Sequence, residues 1–291
     1  MAYYEKMYIK HLILQGIKDR ELAILGSNNC NIRALKAINY FELDRALKLA
    51  NWDINKPNMY RGVATLKNIP NFTFNPKVRS SETMPWFIGD FNKEIEYYDL
   101  FFDFDNSYKD SEGKVINGSW DDVRASVREL KEYLEEYEVP YSLIFSGNKG
   151  FQIIVSGRLL DIKRIDKGNI YPHKIIQEDI KEKLNLKFLD LSNNGINSRL
   201  CKVPYSLVLK SDDKKEGGES LLSHPEEKMN IALPLSDEQF ENFKIEDMSS
   251  YNVLAKVKGI KDRGMLERFS NLPIEKRCEN LAKFINMVSF K

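Results

Sequence analysis

Residues 97–105 read Tyr-Tyr-Asp-Leu-Phe-Phe-Asp-Phe-Asp, an apolar and aromatic run interrupted only by acids. Such a run is typical of a strand buried in the centre of a sheet. Side chains alternate between the two faces of a strand, so Asp103 and Asp105 share one face and Phe104 points to the other. Two neighbouring carboxylates repel each other, which favours a divalent cation between them. The alternative is a strand end that passes into a polar loop, because an asparagine and a serine follow.

Strand-like and helix-like segments alternate on both sides of this run. Apolar residues recur at helical intervals from Val123 to Tyr137, after a Ser119 cap and before Pro140. The remaining pattern predicts a helix at about 162–184, mostly helix after residue 236, and strands at 59–66, 141–145, 151–155, 199–209 and 229–233. This alternation predicts an α/β or α+β fold.

Charge and cysteine content exclude several classes of protein. The 291 residues hold 44 Lys and Arg against 43 Asp and Glu, so the chain is not a uniformly basic nucleic-acid coat, although a local basic groove is compatible with this balance. The three cysteines lie far apart, which excludes a disulfide scaffold and indicates a reducing compartment. No apolar stretch has the length of a signal peptide or a membrane span, so we expect a cytoplasmic location and no membrane partner.

A second group of chemical interest is the turn at 145–152, Phe-Ser-Gly-Asn-Lys-Gly-Phe-Gln. Its two glycines allow the backbone to approach a ligand, its amides can bind an anion, and Lys149 adds positive charge. The alternative is an ordinary hairpin turn, because the spacing matches neither a P-loop nor a dinucleotide-binding loop.

A third group follows at Leu189-Asp190 and at 199–210, Arg-Leu-Cys-Lys-Val-Pro-Tyr-Ser-Leu-Val-Leu-Lys. Asp190 stands between two leucines in a run that otherwise reads as buried. Lys202, Ser206 and Lys210 are spaced four apart, so on an extended strand they share one face. A cationic face with a hydroxyl suits phosphate oxygens, and the alternative is the solvated side of an amphipathic strand.

In this order, the three groups resemble the archaeo-eukaryotic primase superfamily, in particular primase small catalytic subunits and primase-polymerases. That family has a hydrophobic strand ending in Asp-x-Asp, a Ser-Gly-x-(Lys/Arg)-Gly-x-His segment, and a hydrophobic-Asp pair followed by basic-x-Pro-x-Ser-x-His-x-Lys. The match covers about 98–235. Gln152 and Val208 stand where the family has histidines that face the nucleotide's phosphates, and the zinc-binding cluster of cellular primases is missing.

The resemblance implies an RRM-like catalytic sheet packed on a second α/β unit. We expect a catalytic core at 1–235, whose N-terminal part at about 1–56 is helical, and a helical C-terminal segment at 236–291. The N-terminal expectation also uses the helical spacing of Ile32, Leu35, Ile38 and Leu47.

The function implied by the resemblance is a template-directed nucleotidyltransferase, a DNA primase or primase-polymerase that makes short strands on single-stranded DNA from NTPs or dNTPs. Its two-metal mechanism assigns two Mg²⁺ or Mn²⁺ ions to Asp103, Asp105 and Asp190, and no zinc is expected. The expected nucleotide-binding residues are Ser146, Gly147, Lys149, Gln152, Arg199, Lys202, Ser206 and Lys210.

The expected partners beyond the nucleotide are a DNA template and another replication or defence protein, such as a helicase or a primase accessory protein. Basic residues near the C-terminus are template-binding candidates, with a solvated helical face as the alternative: Lys256, Lys258, Lys261 and Arg263. Two other functions stay open, a gap-filling or lesion-bypass polymerase of the same fold and a catalytically degenerate module that binds nucleotide or single-stranded DNA. The presence of all three acids argues against the degenerate module.

Overall fold

The structure, a computed structural model, describes residues 3–25, 31–35, 39–50, 58–67, 94–110, 112–160, 172–191, 200–208, 229–250 and 252. Within these ranges the chain forms two compact units. The first unit comprises Met1–Glu96, Ser146–Asn148 and Asn197–Gly259. The second comprises Tyr97–Phe145, Lys149–Ile196 and Ile260–Lys291, the last of which lies outside the described residues.

Helices and short strands alternate along the described chain, which confirms the expected α+β class. The helices are α1 (Met7–Gly16), α2 (Tyr40–Leu49), α3 (Trp120–Glu136), α4 (Gly157–Leu160), α5 (Pro172–Leu184) and α6 (Asp237–Glu241), with a 3₁₀ helix at Ile245–Met248. The strands are β1 (Leu22–Leu25), β2 (Asn31–Leu35), β3 (Asn58–Gly62), β4 (Ala64–Leu66), β5 (Ile95–Tyr98), β6 (Leu100–Asp105), β7 (Ser107–Lys109), β8 (Val115–Asn117), β9 (Ser142–Phe145), β10 (Gly150–Val155), β11 (Leu200–Lys202), β12 (Leu207–Val208), β13 (Asn230–Ile231) and β14 (Leu233–Pro234). No helix among the described residues combines the length and the apolar character needed to cross a bilayer.

The first unit is organised around an antiparallel sheet with the strand order β11-β3-β1-β2. This sheet corrects the expectation of an all-helical N-terminal part, because Ile32 and Leu35 lie in β2 and pair with β1. Their spacing of three residues suits a helix, but a short apolar segment does not distinguish a strand from a buried helix. The segment at 22–25, Leu-Ala-Ile-Leu, is such a run, and the described side chains of Leu22 and Ile24 are fully buried.

The second unit contains the antiparallel neighbours β6, β10 and β9, which confirms the predicted buried strand and the hairpin that follows it. Phe151 in the middle strand is opposite Phe104 on one side and Phe145 on the other. All three rings are buried, and Trp120 at the start of α3 makes edge-to-face contacts with Phe145 and Phe151. One face of this sheet is therefore an aromatic core, and the side chains of Asp103 and Asp105 alternate onto the other.

Helix α3 begins at a capping box, as the Ser119 spacing predicts. The Ser119 hydroxyl accepts a hydrogen bond from the Asp122 backbone N–H, while the Asp122 carboxylate accepts bonds from the Ser119 hydroxyl at 2.7 Å and from its backbone N–H at 2.8 Å. The bond from the Ser119 hydroxyl, and to a smaller extent the bond from its backbone N–H, lower the pKa of Asp122 below its usual value of 3.8.

Ser119→Ala is expected to lower the free energy of unfolding by about 1 kcal/mol near neutral pH, because it removes the cap. The unfolded chain binds a proton to Asp122 more readily than the native chain, so the contribution of this carboxylate is full above pH 3.8 and is lost as the pH falls through its lowered native pKa. Urea unfolding at a series of pH values measures both effects. If the difference in the free energy of unfolding between the natural protein and Ser119→Ala stayed constant as the pH fell below 3.8, the role assigned to Asp122 would be contradicted.

Candidate active site

The first feature of the candidate site is a pair of acids on adjacent segments of the second unit. A single antiparallel bridge joins Phe104 to Leu189. The Asp190 N–H donates to the Asp103 carbonyl oxygen at 2.8 Å, and the Asp105 N–H donates to the Phe188 carbonyl oxygen at 3.1 Å. Asp103 is thus directly opposite Asp190, and the two side chains share the face that the phenylalanine and leucine do not occupy.

Gln152 lies on the other side of Asp103. It is opposite Asp103 in the β6–β10 register, and its side-chain Nε2 donates to Asp103 Oδ1 at 3.2 Å. Gln152 is only 5% exposed, and its Oε1 is buried without a hydrogen-bond partner. In this structure Gln152 contacts an acid of the site, whereas the sequence predicts contact with phosphate. We call Gln152, Asp103, Asp190 and Asp105 the acid row.

Asp105 is the member of the acid row closest to the turn. Its register partner on β10 is Gly150, and a side-chain carbon at that position would come within 1.6 Å of the Phe104 carbonyl oxygen. The Lys149 carbonyl accepts a hydrogen bond from the Asn106 N–H at 3.0 Å, so the two strands stay together to their ends. The glycine predicted to allow close approach to a ligand here allows close approach of a neighbouring strand.

The acid row has the donor chemistry of a Mg²⁺ or Mn²⁺ site. Its three carboxylates are half-exposed, and directly opposite residues carry Cβ atoms about 5 Å apart. In the present side-chain conformations, no group of three His, Cys, Asp or Glu residues within the described ranges surrounds a common point. The backbone brings the three acids to one face of neighbouring segments, and a cation held by all three would require rotation of their side chains.

A cation from α5 borders the acid row. The half-buried Lys181 donates from Nζ to the carbonyl oxygen of Leu189. Burial lowers the pKa of Lys181, and the negative charge of Asp190 opposes this by raising it. One turn earlier, the buried Gln177 donates to the carbonyl oxygen of Phe101 in β6.

Residues Ser146–Asn148 of the turn between β9 and β10 belong to the first unit. Ser146 is buried, Lys149 is exposed, and Gly147 has a φ of +88°, a conformation that L side chains rarely adopt. A side-chain carbon at Gly147 would lie 2.4 Å from Val208. The turn and the segment of Val208, separate in the sequence, thus meet, and Val208 is buried.

Lys202 and Ser206 lie in the first unit but not on one strand. The predicted single strand over 199–209 is wrong at 203–206, where the chain turns between β11 and β12 and Tyr205 has a φ of +65°. Ser206 is fully buried and donates to the Val203 carbonyl oxygen at 2.7 Å. Lys202 Nζ donates to the Tyr60 hydroxyl at 2.8 Å and lies 4.1 Å from that ring's centroid. The argument that these residues share a strand face therefore fails.

Several predicted site residues lie outside the described residues: Arg199, Lys210, Lys256, Lys258, Lys261 and Arg263. Three side chains that the sequence analysis missed border the candidates, namely Gln177, Lys181 and Tyr60. Gln177 and Lys181 are four residues apart, so a helix places both on one face. This spacing is the feature of the sequence that could have indicated them. Tyr60 gave no local signal, because its contact with Lys202 depends on strand pairing across 142 residues.

Comparison with known proteins gives a relation to solved structures. No protein-family model matches the sequence, and no curated protein matches it. Among solved structures, the chain is similar to the polymerase domain of Mycobacterium tuberculosis ligase D in complex with DNA. The TM-score is 0.53 with 14% sequence identity, and the match covers 94% of this chain and 91% of the other. The chain thus shares the fold of a polymerase domain.

Proposed function

We propose that the protein is a template-directed nucleotidyltransferase that synthesises strands on single-stranded DNA as a primase-polymerase. The observation that carries the proposal is the acid row, in which Asp103 and Asp190 are opposite each other and Asp105 follows on the same strand face. Its support is the polymerase-domain fold, whose solved example contains DNA.

In the proposed mechanism, Asp103, Asp105 and Asp190 hold two Mg²⁺ or Mn²⁺ ions. When bound, the ions supply Lewis-acid chemistry that lowers the pKa of an attacking 3′-hydroxyl and stabilises charge on the leaving pyrophosphate. Gln152 donates its amide N–H to the Asp103 carboxylate, and this bond limits the rotation of that carboxylate to orientations within the site.

The nucleotide's phosphates are assigned to the cationic and amide groups of the turn and of β11. Lys149 is exposed and available to an anion, and Lys202 presents its ammonium beside Tyr60. Ser146, Gly147, Arg199 and Lys210 complete the proposed nucleotide-binding set, from which Ser206 is omitted because its buried hydroxyl donates to the Val203 carbonyl oxygen. The basic residues at 256–263 are proposed template contacts.

A second candidate function is gap filling by the same chemistry. The solved neighbour is the polymerase domain of a ligase, and extension of a strand before sealing suits such a combination. Retention of all three acids opposes the third alternative, a degenerate module that only binds nucleotide or DNA. Initiation requires joining two nucleotides, whereas gap filling requires only an existing 3′-hydroxyl.

The deciding experiment supplies labelled NTPs or dNTPs with Mg²⁺ or Mn²⁺ to three DNA substrates: unprimed single strands, primed single strands and gapped duplexes. Short products on unprimed DNA support the proposed primase-polymerase. Extension of primed or gapped DNA alone supports the gap-filling function instead. Nucleotide binding without product on any substrate would leave the degenerate module as the function.

Gln152→Met is expected to lower kcat about tenfold with little change in the KM for nucleotide. Methionine keeps the volume of the buried side chain but removes the hydrogen bond to the Asp103 carboxylate, and such a bond to a charged group contributes about 1.5 kcal/mol or more. Steady-state kinetics separate the two constants. A raised KM with unchanged kcat would instead support the phosphate contact predicted from the sequence.

A further inference from the structure

The backbone pairing between β6 and the segment that carries Asp190 is short. The segment that carries Asp190 joins β6 through one bridge, with the two backbone hydrogen bonds that flank it. Because Asp103 is directly opposite Asp190, two negative charges face each other across this short pairing, and like charges so placed are destabilising. A side-chain bond from α5 to this segment adds to the backbone pairing and to the buried contacts of Phe188 and Leu189.

Helix α5 ends in a way that brings the chain back towards the sheet. Asn185 has a left-handed φ of +52°, its N–H donates to the Glu182 carbonyl oxygen, and the Leu186 N–H donates to the Lys181 carbonyl oxygen at 3.0 Å. This pair of bonds is a Schellman motif with asparagine in the left-handed position. Asp190 follows Leu186 by only four positions in the sequence.

Lys181 makes hydrogen bonds at both ends of the segment from Leu186 to Leu189. Its carbonyl oxygen accepts from Leu186, and its ammonium donates to the carbonyl oxygen of Leu189, the residue adjacent to the acid. On the preceding turn of α5, Gln177 bonds the Phe101 carbonyl oxygen of β6. Side chains on two successive turns of α5 therefore donate hydrogen bonds to the two segments that carry Asp103 and Asp190.

We infer that Lys181 is a positioning residue for Asp190: its ammonium fixes the Leu189 carbonyl and offsets the charge repulsion in the acid row, so that the third acid stays beside Asp103. The inference rests on the proposed function, in which Asp190 is a cation ligand. The ammonium itself stays with the backbone carbonyl and does not touch the substrate. Its effect on catalysis is transmitted through the position of Asp190.

The test compares Lys181→Met with Lys183→Met in the full chain. Both changes remove one positive charge from α5, but Lys183 is exposed and its Nζ bonds the Tyr133 hydroxyl at 3.1 Å, away from the acid row. Hydrogen exchange followed by mass spectrometry reports on residues 186–191, where the Asp190 N–H is bonded to Asp103. We expect about tenfold faster exchange there in Lys181→Met and unchanged exchange in Lys183→Met.

Kinetics supply the second reading. Lys181→Met is expected to lower kcat and to raise about tenfold the Mn²⁺ concentration needed for half-maximal activity, with little change in the KM for nucleotide. Lys181→Arg keeps the charge and the donor and is expected to restore both values to within about threefold. Unchanged exchange over 186–191 in Lys181→Met overturns the inference. An inactive natural protein overturns the proposed function instead, while the exchange measurement still decides whether Lys181 holds Asp190.

Discussion

Asp103→Ala combined with Asp105→Ala is expected to reduce nucleotide incorporation by at least about 1,000-fold, equivalent to about 4 kcal/mol of transition-state stabilisation. The double change removes two of the three proposed cation ligands. The protein is expected to stay folded, because both carboxylates are half-exposed and their mutual repulsion is removed as well. Product analysis on primed DNA measures nucleotide incorporation, and circular dichroism measures whether the variant stays folded.

A matched control removes two exposed acids of the same unit, Glu112→Ala with Asp179→Ala, and should leave incorporation unchanged. A second variant, Asp103→Asn with Asp105→Asn, retains an acceptor for the Gln152 amide and should be as inactive as the alanine pair. Natural activity in either variant of the strand acids would refute the two-metal proposal. The asparagine pair keeps this conclusion independent of any loss of folding in the alanine pair.

Gly150→Ala is the single change expected to cost the most stability. The added methyl group would lie 1.6 Å from the Phe104 carbonyl oxygen and 3.1 Å from the Asp105 Cα atom, so β10 must move away from β6. Both neighbours are backbone atoms of a paired strand and cannot rotate aside. We expect a loss of about 3 kcal/mol in the free energy of unfolding, measured by urea denaturation, and loss of activity through displacement of Asp105.

The comparison for this variant is Gly113→Ala. Gly113 has a φ of +79°, and beyond its two chain neighbours no described atom lies within 4 Å of an added side-chain carbon, so only backbone strain is expected, at about 1 kcal/mol. Equal losses for the two glycine variants would show that strand contact at Gly150 is not the determining factor. The difference between them therefore measures the close approach of β10 and β6.

Local patterns were sufficient to predict the elements that form the sheet of the second unit. The alternation around Asp103 and Asp105 predicted a buried strand with two acids on one face, and the capping residues at 119–122 predicted the start of α3. Both depend on interactions within a few residues. The same alternation did not reveal that Asp99, an acid of the same run, is buried and accepts a hydrogen bond from the Gly157 N–H.

Features that depend on distant pairing could not be predicted from local patterns. Ile32 and Leu35 became strand residues because β1 offers a partner edge, and Ser206 became buried because the chain turns after Val203. Gln152 was placed against phosphate by the resemblance, and its hydrogen bond to Asp103 follows only from the register of β10 on β6. The position of Lys181 likewise depends on how the chain returns after α5.

The assembly of the acid row also has a consequence for folding kinetics. Gln152 and Asp103 are 49 residues apart in sequence, and Asp190 comes later than both. The β9–β10 hairpin can form early from local contacts, whereas the row requires two long loops to close, and such non-local pairings are slow. Activity should therefore appear after secondary structure during refolding, and a nascent chain that has not yet exposed residue 190 outside the ribosome cannot present the complete row.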